Sequence, residues 1–361
     1  MQPASWELAF WAVGMSGIVL AGRRAGRVAV MKSRYLAACV VAIGIALWSM
    51  DARAQRGAPL PDKATTKAAQ DLIARAMAIA KDDLKAEAGD ACLPGGPARD
   101  PDPRPMQKVE PLKVFDNLYY VGFEQVGTWT LDTGAGLILF DTLNNPREAE
   151  EVLVPGLKQL GLDPANIKYI VLSHGHADHF GGAPYFQEHY NTPVMMTAAD
   201  WDLIARPPGP NASAAARNRV LPKRDRIISD GDTLTLGNAT IRFGIYPGHT
   251  PGTIMMSVPV MDHGVRRVWL VPAGALQVPD EESWQAFQHI INDYFKKEMP
   301  EMVFNSHPLT MNDGLAKMAQ IRRNPAGPNP YVLGKEKTAR YLDIMLACRH
   351  AWVVEKDPSA L

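Results

Sequence analysis

Four side chains able to ligate a metal stand inside six residues, at His174-Gly175-His176-Ala177-Asp178-His179. Imidazole nitrogens suit zinc, and a carboxylate adds charge and a hard oxygen. A lone histidine is ordinarily a satisfied core or surface group, but packing does not ask for four such groups at this spacing. His174 and His176 lie two apart and can share one ion; Asp178 and His179 can share another. Each ion then needs a ligand from elsewhere in the chain. His249, in Gly248-His249-Thr250-Pro251-Gly252, and His307, in Asn305-Ser306-His307-Pro308, both follow predicted strands and are the candidates. His189, His263, His289 and His350 fall on predicted helices or in a turn and read as surface or packing residues.

The elements around these residues place them at strand ends. Residues 167–172 form a largely apolar strand that runs straight into Ser173 and the motif, as expected of a buried strand. Residues 118–122, 127–131 and 136–141 are three short strands separated by turn residues. Further strands are predicted at 193–197, 226–229, 233–236, 239–246, 253–260, 266–271 and 302–304, and helices at 146–160, 181–190, 198–205, 282–299, 312–322 and 335–350. Strands and helices are interspersed without strict alternation, so two sheets covered by helices is the layered solution that fits.

The strand leading into His-Gly-His-Ala-Asp-His-Phe-Gly-Gly, then Gly-His-Thr-Pro-Gly, then a late histidine, resembles the metallo-β-lactamase superfamily from about residue 110 onward. The resemblance implies an α+β fold, a four-layer αββα sandwich with a metal site at one edge between the sheets. It implies a first zinc on His174, His176 and His249 and a second on Asp178, His179 and His307, with Asp141 as an acidic support beside them. Many members, thioesterases and lactonases among them, place a bridging Asp after the strand that follows the middle histidine, and some β-lactamases place Cys in the site. Here that stretch is Trp269-Leu270-Val271-Pro272-Ala273-Gly274-Ala275, with neither. The pattern looks most like the third subclass of metallo-β-lactamases, whose two zincs use only histidine and aspartate and share a hydroxide. Gly175 stands where many of that subclass carry another residue.

The expected activity is therefore zinc-dependent opening of a cyclic amide, with Asp178 binding metal and orienting the nucleophile. The alternatives are a zinc hydrolase of another amide, ester or lactone, and a mono-iron sulfur dioxygenase on the same fold. No Gly-x-Ser-x-Gly elbow is present. For the substrate groove, the hairpin Glu124–Trp129 and the insertion Trp201–Arg226 are the candidate walls, with Trp129 and Trp201 as candidate contacts and Lys223, Arg224 and Arg226 as a basic turn.

The rest of the chain bounds these readings. The 361 residues carry 38 basic and 38 acidic side chains, and this balance gives no reason to expect nucleic acid or an anionic membrane as partner; a small-molecule substrate is the expected one. Met31-Lys32-Ser33-Arg34, an apolar run from Tyr35 to Trp48 and Ala52-Arg53-Ala54 make residues 31–54 a signal peptide, which implies a periplasmic protein without a membrane anchor after cleavage. Residues 1–30 are an over-extended start or a longer leader. Residues 55–110 hold an amphipathic helix over 65–87 and a Pro/Gly-rich linker over 93–111, and residues 111–361 hold the catalytic fold. With Cys39 removed in the leader, Cys92 and Cys348 are either one disulfide or two thiols.

Overall fold

The computed structural model describes residues 63–93, 105–210, 214–274, 276–309 and 313–360. The leader, the signal peptide, Cys39 and most of the linker lie outside the described residues.

Among the described residues, twelve strands form two sheets. They are β1 (Lys108–Phe115), β2 (Leu118–Phe123), β3 (Gly127–Asp132), β4 (Leu137–Phe140), β5 (Ile167–Val171), β6 (Val194–Thr197), β7 (Arg226–Ile228), β8 (Thr233–Leu236), β9 (Ala239–Ile245), β10 (Ile254–Asp262), β11 (Val265–Pro272) and β12 (Met302–Val303). The first sheet runs β1 to β7 in order, antiparallel as far as β4 and parallel from β4 to β7. The second has the order β12-β11-β10-β9-β8, with only β11 and β12 parallel.

The two-residue period of the strands explains the layers. Leu118, Tyr120, Trp129, Leu131, Ile138 and Phe140 of the first sheet meet Phe243, Met256, Val258, Trp269 and Val271 of the second in one buried core. The alternate residues Tyr119, Val121, Leu137 and Leu139 face outward onto Leu153, Leu157, Phe186 and Trp201 of the covering helices. On the far side of the second sheet, Met255 and Leu270 meet Phe287, Leu342 and Met345. This is the four-layer αββα sandwich.

Several expected boundaries shift for local reasons. The strand β1 begins inside the supposed linker; Pro111 sits at a register shift between Val109 and Leu112, so proline disguises an edge strand as a loop. The helix expected over 65–87 is two, Lys67–Ala80 and Lys85–Ala91, broken where Lys81 adopts a φ of 53°. The helix expected over 146–160 contains a π-helical segment, Ala149–Leu153, ending two residues before Pro155, whose ring cannot fit a regular preceding turn.

The two tryptophans proposed for the substrate groove are both core residues. Trp129 is 1% exposed and packs edge-on against Tyr120 and Trp269. Its indole Nε1 donates to the Asn305 carbonyl at 3.1 Å. Trp201, 2% exposed, lies against the outer face of the first sheet and donates to the Arg226 carbonyl at 3.0 Å. Inward strand position and indole satisfaction decide both cases. In the basic turn, Arg224 pairs with Asp202 and the Arg226 guanidinium lies over the Tyr169 ring at 5.1 Å.

The N-terminal helices are fastened to the long final helix, Lys335–Lys356. A disulfide joins Cys92 to Cys348 across a sequence separation of 256. Arg340 forks onto the Asp83 carboxylate at 2.9 and 2.7 Å. Glu355 accepts hydrogen bonds from the backbone N–H and hydroxyl groups of both Thr65 and Thr66. Partial burial opposes ionisation of Glu355, but these donors outweigh it and bring its pKa down to about 2. Among the described residues no helix is long and apolar enough to cross a membrane.

Closing a loop of this length should contribute about 2–5 kcal/mol, so Cys348→Ala should lower the denaturant midpoint by a corresponding amount, with thiol titration confirming the lost bridge. Because the folded-state pKa of Glu355 is depressed, its contribution is present above the ordinary carboxylate pKa and lost as pH falls toward 2. Glu355→Gln should therefore melt lower than the parent at pH 7, and the two melting temperatures should converge between pH 4.5 and 2.

Candidate metal centre

The parallel strands β4, β5 and β6 deliver their C-terminal ends to one edge of the sandwich, where the ends of β9, β11 and β12 meet them from the other sheet. The Ser173 carbonyl accepts from Ile254 N–H at 3.2 Å, and the Ser306 carbonyl from Gly127 N–H at 2.9 Å, so backbone bonds join the two sheets along this edge. The largely apolar β5 ends at Val171, and His174 and His176 follow in a loop. Asp178 and His179 then lie on the helical turn Ala177–Phe180.

This edge gathers six side chains into two groups. His174, His176 and His249 bring one nitrogen each within 4.8 Å of one another, and Asp178, His179 and His307 do the same with one carboxylate oxygen and two nitrogens. In the first group, His174 Nε2 lies 3.2 Å from His176 Nδ1, which lies 2.9 Å from His249 Nε2. In the second, His179 Nε2 lies 3.1 Å from His307 Nε2 and 3.3 Å from Asp178 Oδ2. A tetrahedral zinc ion with bonds of about 2.0–2.1 Å holds neighbouring donors about 3.3 Å apart, so both sets fit such an ion. His174 and His179 are buried, while the other four are half-buried, so the open side of the site faces solvent.

Hydrogen bonds on the far nitrogens turn the rings inward. His307 Nδ1 donates to the Gln125 carbonyl at 2.7 Å, which leaves Nε2 facing the group. His174 Nδ1 lies 3.1 Å from Ser173 Oγ. His179 Nδ1 lies 2.8 Å from Asp141 Oδ2. Asp141 is the junction of the second group. It is 2% exposed and accepts from Ser173 N–H at 2.8 Å, Ser173 Oγ at 3.0 Å and Ser306 Oγ at 2.9 Å as well as from His179. Its φ of 63° is unusual for a residue with a Cβ and costs about 1–3 kcal/mol, offset here by the bonds its carboxylate collects.

Protonation follows the same division. Burial, then the imidazoles of His179, His249 and His176, push His174 far below the ordinary histidine pKa. Burial and then the His176 and His179 imidazoles take His249 down to about 3. Burial lowers His307 in the same way. His179 goes up to about 10: burial opposes this, but the carboxylates of Asp178 and Asp141 prevail. Burial works against ionisation of Asp178, yet the neighbouring imidazoles, His179 foremost, hold its carboxyl far below the usual range. The first group is thus three imidazoles and the second a carboxylate with two imidazoles, two donor sets of the kind that hold transition-metal ions.

Trp129 and Trp201 do not join the site. Trp129 acts one step back, since its bond to Asn305 positions the loop that carries His307. The remaining histidines lie elsewhere: His350 stacks on Trp284, His289 pairs with Asp293, His263 contacts the Gly327 carbonyl and His189 packs on Tyr185. Sequence reasoning missed Asp200, a fully buried carboxylate placed between the two loops of the first group. The only local sign of it is the helix-starting pattern Thr197-Ala198-Ala199-Asp200, which reads as a cap.

Comparison with known proteins agrees with this geometry. A family model described as the metallo-beta-lactamase superfamily matches residues 121–265. The probable metallo-hydrolase YybB of Bacillus subtilis (strain 168) is 27% identical over 131 residues, 36% of this chain and 55% of that protein. An N-acyl homoserine lactonase of a Bacillus species is 29% identical over 148 residues, 35% of this chain and 55% of that protein. The match thus spans about half the length of these curated relatives. Among solved structures, BJP-1, a subclass B3 metallo-beta-lactamase of Bradyrhizobium japonicum, aligns with a TM-score of 0.53 at 25% identity, over 65% of this chain and 90% of that one. Native FEZ-1 metallo-beta-lactamase from Legionella gormanii aligns with a TM-score of 0.54 at 20% identity, over 66% and 93% of the two chains, a likeness of fold.

Replacing Asp141 by Ala should leave His179 and Ser306 without their shared acceptor. Metal affinity of the second group should fall about 10–100-fold, read by chelator competition on the purified protein.

Proposed function

We propose, from the premise that residues 121–265 form a metallo-β-lactamase superfamily domain, that this protein is an exported di-zinc hydrolase that opens a cyclic amide, with a β-lactam as its substrate. One observation carries the reading: two converging donor sets made only of histidine and aspartate, with no thiol or carboxylate in Ala273-Gly274-Ala275 directly after β11. Packing explains that loop. A Cβ on Gly274 would lie 2.3 Å from the His249 ring, so this part of the loop closes against the ligand and leaves no room for a side chain.

On this reading His174, His176 and His249 hold one zinc and Asp178, His179 and His307 the other. Bound zinc supplies a Lewis acid and brings the pKa of water down to about 7. The protein's part is orientation. His307 is locked by its bond to the Gln125 carbonyl, and His179 by its bond to Asp141, so neither ring can turn its lone pair away. Asp178, ionised at neutral pH, offers acceptor oxygens at the open side of the site, where it can orient a water proton. The solvent-facing side between His176, His249, Asp178 and His307 is where a small molecule would enter. Residues 31–54 as a signal peptide and a periplasmic location belong to the same proposal.

Lactone hydrolysis is the second reading, favoured by the likeness to an N-acyl homoserine lactonase. Assays with nitrocefin and with an acyl lactone, each with added zinc and with EDTA, decide between them, and elemental analysis counts the ions. The expected result is two zinc ions per chain and zinc-dependent nitrocefin hydrolysis abolished by EDTA. His249→Ala and His307→Ala should each lower kcat/KM by more than about 100-fold, beyond what loss of an outer-sphere partner does. Turnover of the lactone alone would replace the first reading by the second, and one iron per chain would favour an oxygenase over both.

A further inference from the structure

The two donor groups are braced differently. The second rests on Asp141. In the first, His249 lacks the outer hydrogen bond that fixes most ligating histidines: its Nδ1 is buried with no hydrogen-bond partner among the described residues. Its direction must come from the turn it sits on and from the wall formed by Gly274.

That turn is gripped by the start of the helix Ala198–Ala205. Asp200, 0% exposed, accepts from Thr250 Oγ1 at 2.6 Å and from Gly252 N–H at 2.9 Å, on the residues just after His249. The same carboxylate accepts from Gly175 N–H at 2.8 Å, between His174 and His176. Thr197 Oγ1 adds a bond to the Gly252 carbonyl at 3.0 Å. The approach excludes a side chain at Gly252 and leaves a tight fit at Gly175. A Cβ on Gly252 would lie 1.8 Å from Thr197 Oγ1, and one on Gly175 would lie 3.1 Å from Leu203 and 3.3 Å from Asp200.

We infer that Asp200 is a positioning residue for metal binding at His174, His176 and His249, holding the two loops that carry them in register. This rests on the proposed di-metal reading of the site. Asp200 touches none of the three rings; it acts on the backbone of one loop and on both backbone and side chain of the other. Burial raises its pKa, while the Thr250, Gly252 and Gly175 donors favour the ionised form.

The test uses the full chain and zinc affinity by chelator competition in two backgrounds. In His307→Ala only the first group is complete, and in His249→Ala only the second. Asp200→Asn presents an amide N–H₂ where a carboxylate oxygen accepted, and should weaken zinc about 10–100-fold in the first background while leaving the second unchanged. Thr250→Val, which removes one donor and keeps the shape, should act in the same direction more weakly. Melting temperatures of the metal-free variants establish that each is folded, and Thr250→Val carries the test if Asp200→Asn does not fold. Equal loss in both backgrounds, or unchanged affinity in the first, would overturn the inference. Failure of the unsubstituted protein to bind two ions would instead bring down the di-metal reading itself, and the inference with it.

Discussion

Lone pairs on imidazole nitrogens repel when they face one another, and here five imidazoles, buried or half-buried, are each brought to about 3 Å from a neighbour. The chain meets that constraint with structure on every side. The backbone at Asp141 takes a left-handed conformation, two sheets are joined by hydrogen bonds at the site's edge, and glycine is fixed where loops touch. A cation between the nitrogens turns the repulsion into attraction. The carboxylates of Asp178 and Asp141 favour a proton on His179, while burial and the neighbouring imidazoles disfavour one on His174.

The fold makes this arrangement possible because strand ends are stiff. Donors on β5, β9 and β12 extensions start from buried backbone whose position is set by aromatic packing between the sheets. Phe304 stacks on Trp269 at 4.4 Å, and the Trp269 indole donates to the Phe304 carbonyl at 2.9 Å, which fixes the path of the chain three residues before His307. Burying rings of this size contributes about 1.5–3 kcal/mol each, enough to sustain the strained turn at the edge.

Much of this was legible in the sequence because the signals are local. The apolar run before Ser173, the histidine spacing and the turn glycines around His249 each announce themselves within a few residues. The sandwich followed from strand and helix lengths together with the family resemblance. What was hidden depends on partners far along the chain. Trp129 and Trp201 look like groove residues until the opposite sheet and the covering helix bury them. Asp200 looks like part of a helix start, since its acceptors serve residues 25 and 50–52 positions away. Pro111 hid an edge strand because its bulge breaks the alternation that marks the other strands.

The same long-range logic connects the N-terminal segment to the site. The buried Arg349 donates to the Leu93 carbonyl at 3.0 Å, next to the Cys92–Cys348 bridge, and to the Leu276 carbonyl at 3.4 Å. Leu276 belongs to the loop after β11, whose Gln277 carbonyl would lie 1.9 Å from a Cβ on Gly248 and whose Gly274 abuts the His249 ring. A guanidinium sealed from water, its pKa brought down to about 10 by burial, needs acceptors, and backbone carbonyls from two separate segments supply them. The helices ahead of the sandwich thus share one cation with the loop that walls the first donor group, which ties their docking to the shape of the metal centre.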